Sequence, residues 1–395
     1  MPGWHEATQQ LQEQGKIQML GIIQEQHPDR CRLFMQWKQM DWPVLVDSLN
    51  LLGVEVVPLT ILIDERGIVR SARARLSDLE SFVEGGRSTG VFPVAPPDGR
   101  PSLDELASRA EGGGDSQAVG DYGDGLILWG GPEQATQAIE TYRRVLQQEP
   151  GHGPSHFRLG VAYRKRYDSA HRQQGDFSKA VKHWGQALEI NPNQYIWRRR
   201  IQQYGPRLDK PYPFYDWVVQ ARQDIQQRGQ SPAPLLVEPG GAEFANPARS
   251  FETVRQAQQN PDPQGRIRRD DRFVRLEATL VPSRLAAGGS GRVHVVMRPD
   301  QSRQAHWNNE AEDLVLWVDP PPGWQVDSQY HSLPRPPQLV SQEERRVEFE
   351  LRCPEDFSGT ATVPAYALYY VCEDVDGTCL YRRQDLKVQV QVEQK

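Results

Sequence analysis

The chain has only four cysteines in 395 residues, and no two of them form a Cys-x-x-Cys pair. Four are too few for a scaffold built on disulfides. No run approaches the roughly eighteen apolar residues of a membrane span. Residues 1–16, MPGWHEATQQLQEQGK, lack the apolar core of a signal peptide, so as written the chain reads as cytoplasmic. A basic excess is also missing. Lys and Arg total 46 against 52 Asp and Glu, and the net charge of −6 argues against a general nucleic-acid binder. There is no Gly-x-Gly-x-x-Gly after a strand, no Walker loop and no nucleophile elbow, and no cofactor is expected.

What the chain has in quantity is glycine and proline, 33 and 31 residues, which points to linkers between compact units. The length fits two or three domains. Residues 1–85 read as α/β: a polar helix over 6–15, a buried strand over 16–23, a helix to about 41 capped by Asp29 with Leu33, Phe34 and Trp37 on one face, a strand over 42–47 and a final helix over 77–83. Residues 54–70, VEVVPLTILIDERGIVR, carry a hairpin signal. A Val-Pro step leads into an apolar run, Asp64 to Gly67 makes a turn, and a second run follows.

This order and the Val-Pro hairpin resemble the thioredoxin-like fold of thiol reductases and thiol peroxidases, over roughly residues 4–84. The resemblance implies that Pro58 is the cis-proline that positions substrate beside a catalytic Cys-x-x-Cys. Here that motif is absent. The family's first strands would lie before Trp4, and without a central strand the sheet edges would be unpaired. The expectation is an amino-terminal piece upstream of Met1, or a fold completed by something else; the alternative is a shortened, inactive domain. An upstream piece could also carry an export signal, giving an extracytoplasmic or periplasmic location.

Residues 86–131 have the composition of a flexible linker, with a short helix expected over 102–110. Over 132–228, Ala138, Tyr142, Val145 and Pro150 recur 42 residues later as Ala180, Trp184, Ala187 and Pro192. Together with Leu159, Gly160 and Tyr163, these resemble tetratricopeptide-type helical repeats, whose usual period is about 34. Such helix pairs stack and present a protein-binding surface; a plain helical spacer is the alternative. Residues 229–271 read as a second loose connection.

From 272 to 395 the pattern changes to period two, as at 274–280, 293–295, 314–318, 347–351 and 386–392. Many short strands predict an antiparallel β-sandwich. Residues 365–371, AYALYYV, lead into Cys372, and Cys379 opens the next strand. With Asp376-Gly377 as turn and 374–377 as loop, Cys372 faces Cys379 and Glu373 faces Thr378. This predicts a cross-hairpin disulfide or dithiol. The hairpin resembles the immunoglobulin-like amino-terminal domain of the transmembrane thiol:disulfide interchange reductases. That resemblance implies that Cys372 and Cys379 are an electron-carrying pair. A structural staple, or free thiols or a metal site, are the other readings, and the acidic Glu373, Asp374 and Asp376 disfavour a nearby thiolate.

Cys31 lies between two arginines near a helix start, which favours thiolate, although one cysteine on an amphipathic helix is usually structural. Cys353 reads as a partly buried thiol. Glu25 and His27 with Cys31 four residues on suggest a metal or nucleophile site, but no further His or Cys supports one, and metal sites need three or four ligands. Residues 306–310, HWNNE, are a polar-aromatic cluster that could form a ligand patch but reads rather as a loop anchored by Trp307. Together these features predict a multidomain α/β, all-α and all-β chain performing thiol–disulfide exchange on a protein partner recruited by the helical repeats. The rival is a non-catalytic scaffold with a degenerate thioredoxin-like domain.

Overall fold

Helices concentrate in the amino-terminal part of the chain and strands in the carboxy-terminal part, as expected for a multidomain mixed protein. The structure is a computed structural model that describes residues 2–85, 101–112, 115–207, 214–240, 243–244, 251, 259–373 and 377–394. Its contacts divide the chain into two compact units. One comprises Met1–His171, Gln186–Arg199 and Tyr215–Pro239; the other comprises Arg172–Gly185, Arg200–Phe214 and Gly240–Lys395.

The first unit begins with α1 (Pro2–Glu13), β1 (Gly21–Ile23), α2 (Pro28–Lys38) and β2 (Val44–Val46). Strands β1 and β2 are parallel, with Ile22 opposite Leu45. The strand expected over 16–23 shrinks to its last three residues, because only these find a partner. The Val57–Pro58 peptide bond is cis. Beyond it, β3 (Leu62–Ile63) and β4 (Val69–Ser71) form an antiparallel hairpin. Asp64 makes its turn: the carboxylate accepts from the Arg66 and Ile68 amides, both at 2.9 Å, while Gly67 supplies a positive φ of 77°. Helix α3 (Leu79–Glu84) follows.

Asp29 does not cap α2, whose N-cap is His27 without a side-chain cap bond. Its carboxylate instead accepts from the Leu236 amide at 2.6 Å, so tertiary structure has taken the group that local sequence assigns to the helix start.

Within the stretch read as linker, α4 (Leu103–Glu111) forms where the short helix was expected, and α5 (Ser116–Leu128) forms where composition gave only linker. Ser102 and Glu105 close a capping box at α4, and Asp115 caps α5 by accepting from Ala118 N at 2.9 Å. Next come α6 (Ala135–Gln148), α7 (Gly153–Tyr167), α8 (Asp176–Ile190), α9 (Tyr195–Gln202) and α10 (Trp217–Gln227). The recurring positions Ala138, Tyr142, Val145 on α6 and Ala180, Trp184, Ala187 on α8 are all buried, as are Leu159 and Tyr163 on α7. Helix α10 lies on α2. Trp217 stacks on Trp37 at 5.9 Å and meets Phe34 edge-on at 5.2 Å, and Trp37 Nε1 donates to Asp224 at 2.6 Å.

The second unit holds β5 (Val274–Val281), β6 (Arg284–Ala286), β7 (Ser290–Pro299), β8 (His306–Asn308), β9 (Leu314–Val318), β10 (Gln325–Val326), β11 (Tyr330–Leu333), β12 (Val340–Ser341), β13 (Arg345–Arg352), β14 (Gly359–Cys372) and β15 (Cys379–Glu393). One sheet runs β10-β13-β7-β5. The other runs β11-β9-β14-β15-β6, with β8 joining β14 to β12. Alternating residues of both sheets, including Val293, Phe349, Ala367, Tyr369 and Val390, share one apolar cluster. On the opposite face of β14, Trp317, Tyr366 and Leu368 form a smaller cluster with Ile267. Part of the stretch read as a loose connection is therefore held on the sheet. Asp262 N donates to Tyr366 Oη at 3.1 Å and the Arg383 guanidinium donates to Asp262 at 2.9 Å.

Candidate redox hairpin

Strands β14 and β15 pair without interruption from Gly359 opposite Val392 to Cys372 opposite Cys379. Alternation places Tyr369 and Val371 in the core and Tyr370 and Cys372 on the other face. Beyond the last pair, the Glu373 amide donates to the Thr378 carbonyl at 3.4 Å. Cys372 and Cys379 thus occupy the adjacent non-hydrogen-bonded site, where side chains approach most closely. They form a disulfide, with Cα atoms 3.9 Å apart. The register expected from the sequence holds; Asp374 to Asp376 of the expected loop lie outside the described residues.

The two sulfurs differ in surroundings. Cys372 is 3% exposed, whereas Cys379 is on the exposed rim. Two residues along each strand, the rings of Tyr370 and Tyr381 stack at 4.4 Å, and Tyr370 Oη donates to Glu312 at 3.2 Å. Burial first, and then the neighbouring Tyr370 and Glu312, push the Tyr381 phenol up to about 12. This pair stays neutral at ordinary pH, an amphipathic floor beside the disulfide.

On the other side of β14 lies β8, pairing Val371 with Trp307 and Cys372 with His306. Trp307 is fully buried and its Nε1 donates to the Glu343 carbonyl at 2.9 Å. Since Trp307 and Val371 both point into the core cluster, His306 and Cys372 share the opposite face. The result is a row across three strands: Cys379, Cys372, His306. Sequence reading assigned His306 to a loop and did not connect it to the cysteines. The available signal was Trp307, a large apolar residue flanked by polar ones, which fits a one-faced strand as well as an anchored loop.

The other candidates are not brought to this hairpin. Pro58 belongs to the first unit, where Cys31 of α2 is the one cysteine. The Cys31 thiol is pushed up, first by burial and then by the Glu25 carboxylate, so the arginines beside it in sequence do not make it a thiolate. Glu25 accepts from the His27 amide at 3.0 Å and from Tyr215 Oη, while His27 lies 3.7 Å from Asp168. Cys353 is buried and its Sγ donates to the Ala286 and Gly289 carbonyls at 3.2 and 3.4 Å. Among the described residues, no three His, Cys, Asp or Glu side chains converge as a metal site, and no helix is long and apolar enough to cross a membrane.

No protein-family model matches this chain, and no curated protein matches it. Among solved structures, one similar to it is described as "AvmM Catalyzes Macrocyclization in Alchivemycin A Biosynthesis", with 12% identity over 33% of this chain and 96% of that one and a TM-score of 0.18. Another is the sporulation control protein Spo0M of Bacillus subtilis, with 13% identity over 31% and 49% and a TM-score of 0.16. A third is a PapD-like domain of human CEP192, with 8% identity over 35% and 96% and a TM-score of 0.18. At these scores the likenesses assign neither fold nor function.

Proposed function

We propose that this protein carries out thiol–disulfide exchange with a protein partner, through Cys372 and Cys379 on an immunoglobulin-like β-sandwich. The observation that carries this reading is the asymmetry of the pair, one sulfur buried and the other exposed at the end of a long hairpin. An incoming thiolate reaches Cys379, and Cys372 is the leaving sulfur. A staple is little needed here, since β14 and β15 are already paired over their whole length. Closing so short a loop contributes only about 2.5 kcal/mol on chain-entropy grounds.

The rest of the chain supports recruitment rather than chemistry. The parallel β1–β2 pair and the β3–β4 hairpin fit a thioredoxin-like unit without its cysteines, with Pro58 as its cis-proline. The buried Ala-aromatic-small pattern on α6 and α8 fits tetratricopeptide-like repeats that hold the partner.

The test is insulin reduction driven by dithiothreitol. Wild type should accelerate it and Cys379→Ser should abolish the acceleration. Cys372→Ser should trap a mixed disulfide at Cys379. A wild-type rate equal to dithiothreitol alone would remove the exchange reading. The second reading, a non-catalytic interaction scaffold with a structural disulfide, is favoured by the first unit, where Ile22 and Leu45 stand exposed as neighbours on the β1–β2 pair. Scattered apolar exposure is ordinary, but adjacent aliphatics on one sheet face mark binding surfaces.

A further inference from the structure

His306 is 7% exposed and sits directly across β8–β14 from Cys372, as Cys379 does across β14–β15. Opposed residues on neighbouring antiparallel strands have Cβ atoms about 4.5–5.5 Å apart, within reach of an imidazole. The Nδ1 atom lies 3.4 Å from the Gln304 carbonyl, an acceptor, which suits the tautomer with the proton on Nδ1. The other nitrogen, Nε2, has no bonded partner among the described residues and is free to take or give a proton.

We propose that His306 is the acid–base partner of the Cys372–Cys379 pair, holding the Cys372 thiolate released when an incoming thiolate attacks Cys379. This inference rests on the exchange reading above. In the first step a partner thiolate forms a bond to Cys379 Sγ. The Cys379–Cys372 bond breaks and its electron pair stays on Cys372 Sγ. A protonated His306 stabilises that charge or passes its proton to the sulfur. In the second step the partner's other thiol, deprotonated, attacks the mixed disulfide at the partner sulfur and Cys379 leaves. The partner dithiol is oxidised to a disulfide, Cys372 and Cys379 are reduced, and two protons are carried over.

The titratable and charged groups near the row are Tyr370 and Glu373 on the β14 side, Tyr381 on β15, Glu312, which accepts from Tyr370, Arg272, whose charge interacts with Glu373, and Arg345, 4.6 Å over the Trp307 ring. β12 brings Ser341 opposite Trp307. The tyrosines are neutral at ordinary pH, Glu373 and Glu312 are acidic, and Arg272 and Arg345 are already paired with Asp270 at 2.7 Å and Glu343 at 2.9 Å, so His306 is the group in this set left to offset a thiolate's charge.

The experiment uses the full chain with Cys379→Ser, leaving Cys372 as the single thiol of the pair. Iodoacetamide labelling of Cys372 is followed by peptide mass spectrometry from about pH 5 to 10, which separates it from Cys31 and Cys353. With His306 present, the labelling midpoint should lie below the about 8.5 of a free thiol. His306→Gln should raise it, slowing labelling about tenfold at pH 7 for each pH unit of displacement. As a check independent of substitution, the His306 ring resonance in the wild type should titrate at higher pH when the disulfide is reduced. Superimposed labelling profiles, or a ring titration indifferent to reduction, would overturn the role of His306. A wild-type disulfide that glutathione cannot open, with the labelling shift intact, would overturn the exchange reading instead.

Discussion

The Tyr142 hydroxyl of α6 donates to the Asp124 carboxylate of α5 at 2.7 Å, inside the helical part of the first unit. Arg158 of α7 closes on the same carboxylate at 2.9 Å, so three helices meet at one acid. Burial, only partly offset by Arg158 and Tyr142, pushes Asp124 up to about 6.

The pH response follows from that direction. The unfolded value is near 4, below the folded one, so the folded unit binds this proton more tightly. The stabilisation is complete below about pH 4 and is lost as pH rises through about 6, a change on the order of 3 kcal/mol. Hydrogen exchange of α5–α7 amides, corrected for intrinsic rates, should show protection falling over that window. Asp124→Asn should flatten the dependence. An unchanged slope in the variant would assign the response to other groups.

Helix α5 also makes a prediction about glycine. A Cβ at Gly123 would lie 2.9 Å from the Tyr142 ring, whereas at Gly120 it would meet nothing within 4 Å. Gly120→Ala should stabilise by about 0.5–1 kcal/mol through helix propensity. Gly123→Ala should destabilise by about 1–3 kcal/mol through overpacking, despite the same gain in propensity. Denaturant midpoints for the two variants should move in opposite directions.

The second unit responds to acid with the opposite sign. Arg292, 1% exposed on β7, is bonded to both Glu348, at 2.7 Å, and Glu350 of β13, and His294 lies 3.2 Å from Glu348. Burial opposes ionisation of Glu348, yet the charges of His294 and Arg292 hold its carboxyl well below the usual range. A depressed value stabilises above the unfolded value of about 4.3 and is lost as pH falls below it. Amides of β7 and β13 should therefore lose protection on acidification, where those of α5–α7 gain it. Arg292→Met removes the shared cation from the buried Glu350 and from the half-buried Glu348, which keeps only His294, and should cost about 3–5 kcal/mol in denaturant unfolding.

These clusters also mark what the sequence discloses and what it conceals. Period-two alternation at 347–351 and 386–392 located β13 and β15, and the spacing around Cys372 and Cys379 set their register, because strand pattern and turn chemistry are local. Helix α5 was hidden for the opposite reason. Its three glycines read as linker, yet Gly123 and Gly125 are there because Tyr142 and Leu106 pack closely over them. His306 was hidden because strand β8 is three residues long and gains its meaning only by pairing with β14. The role of Asp29 changed because Leu236, far along the chain, supplied the stronger partner.

The most direct measurement is the reduction potential of the Cys372–Cys379 disulfide, obtained by equilibrating the full chain with glutathione and quantifying the two cysteines by mass spectrometry. An exchange-active pair should equilibrate at a potential less negative than about −300 mV, within reach of cellular dithiols. A value below about −300 mV, with the disulfide intact throughout the glutathione range, would make the hairpin a structural staple and remove the redox reading.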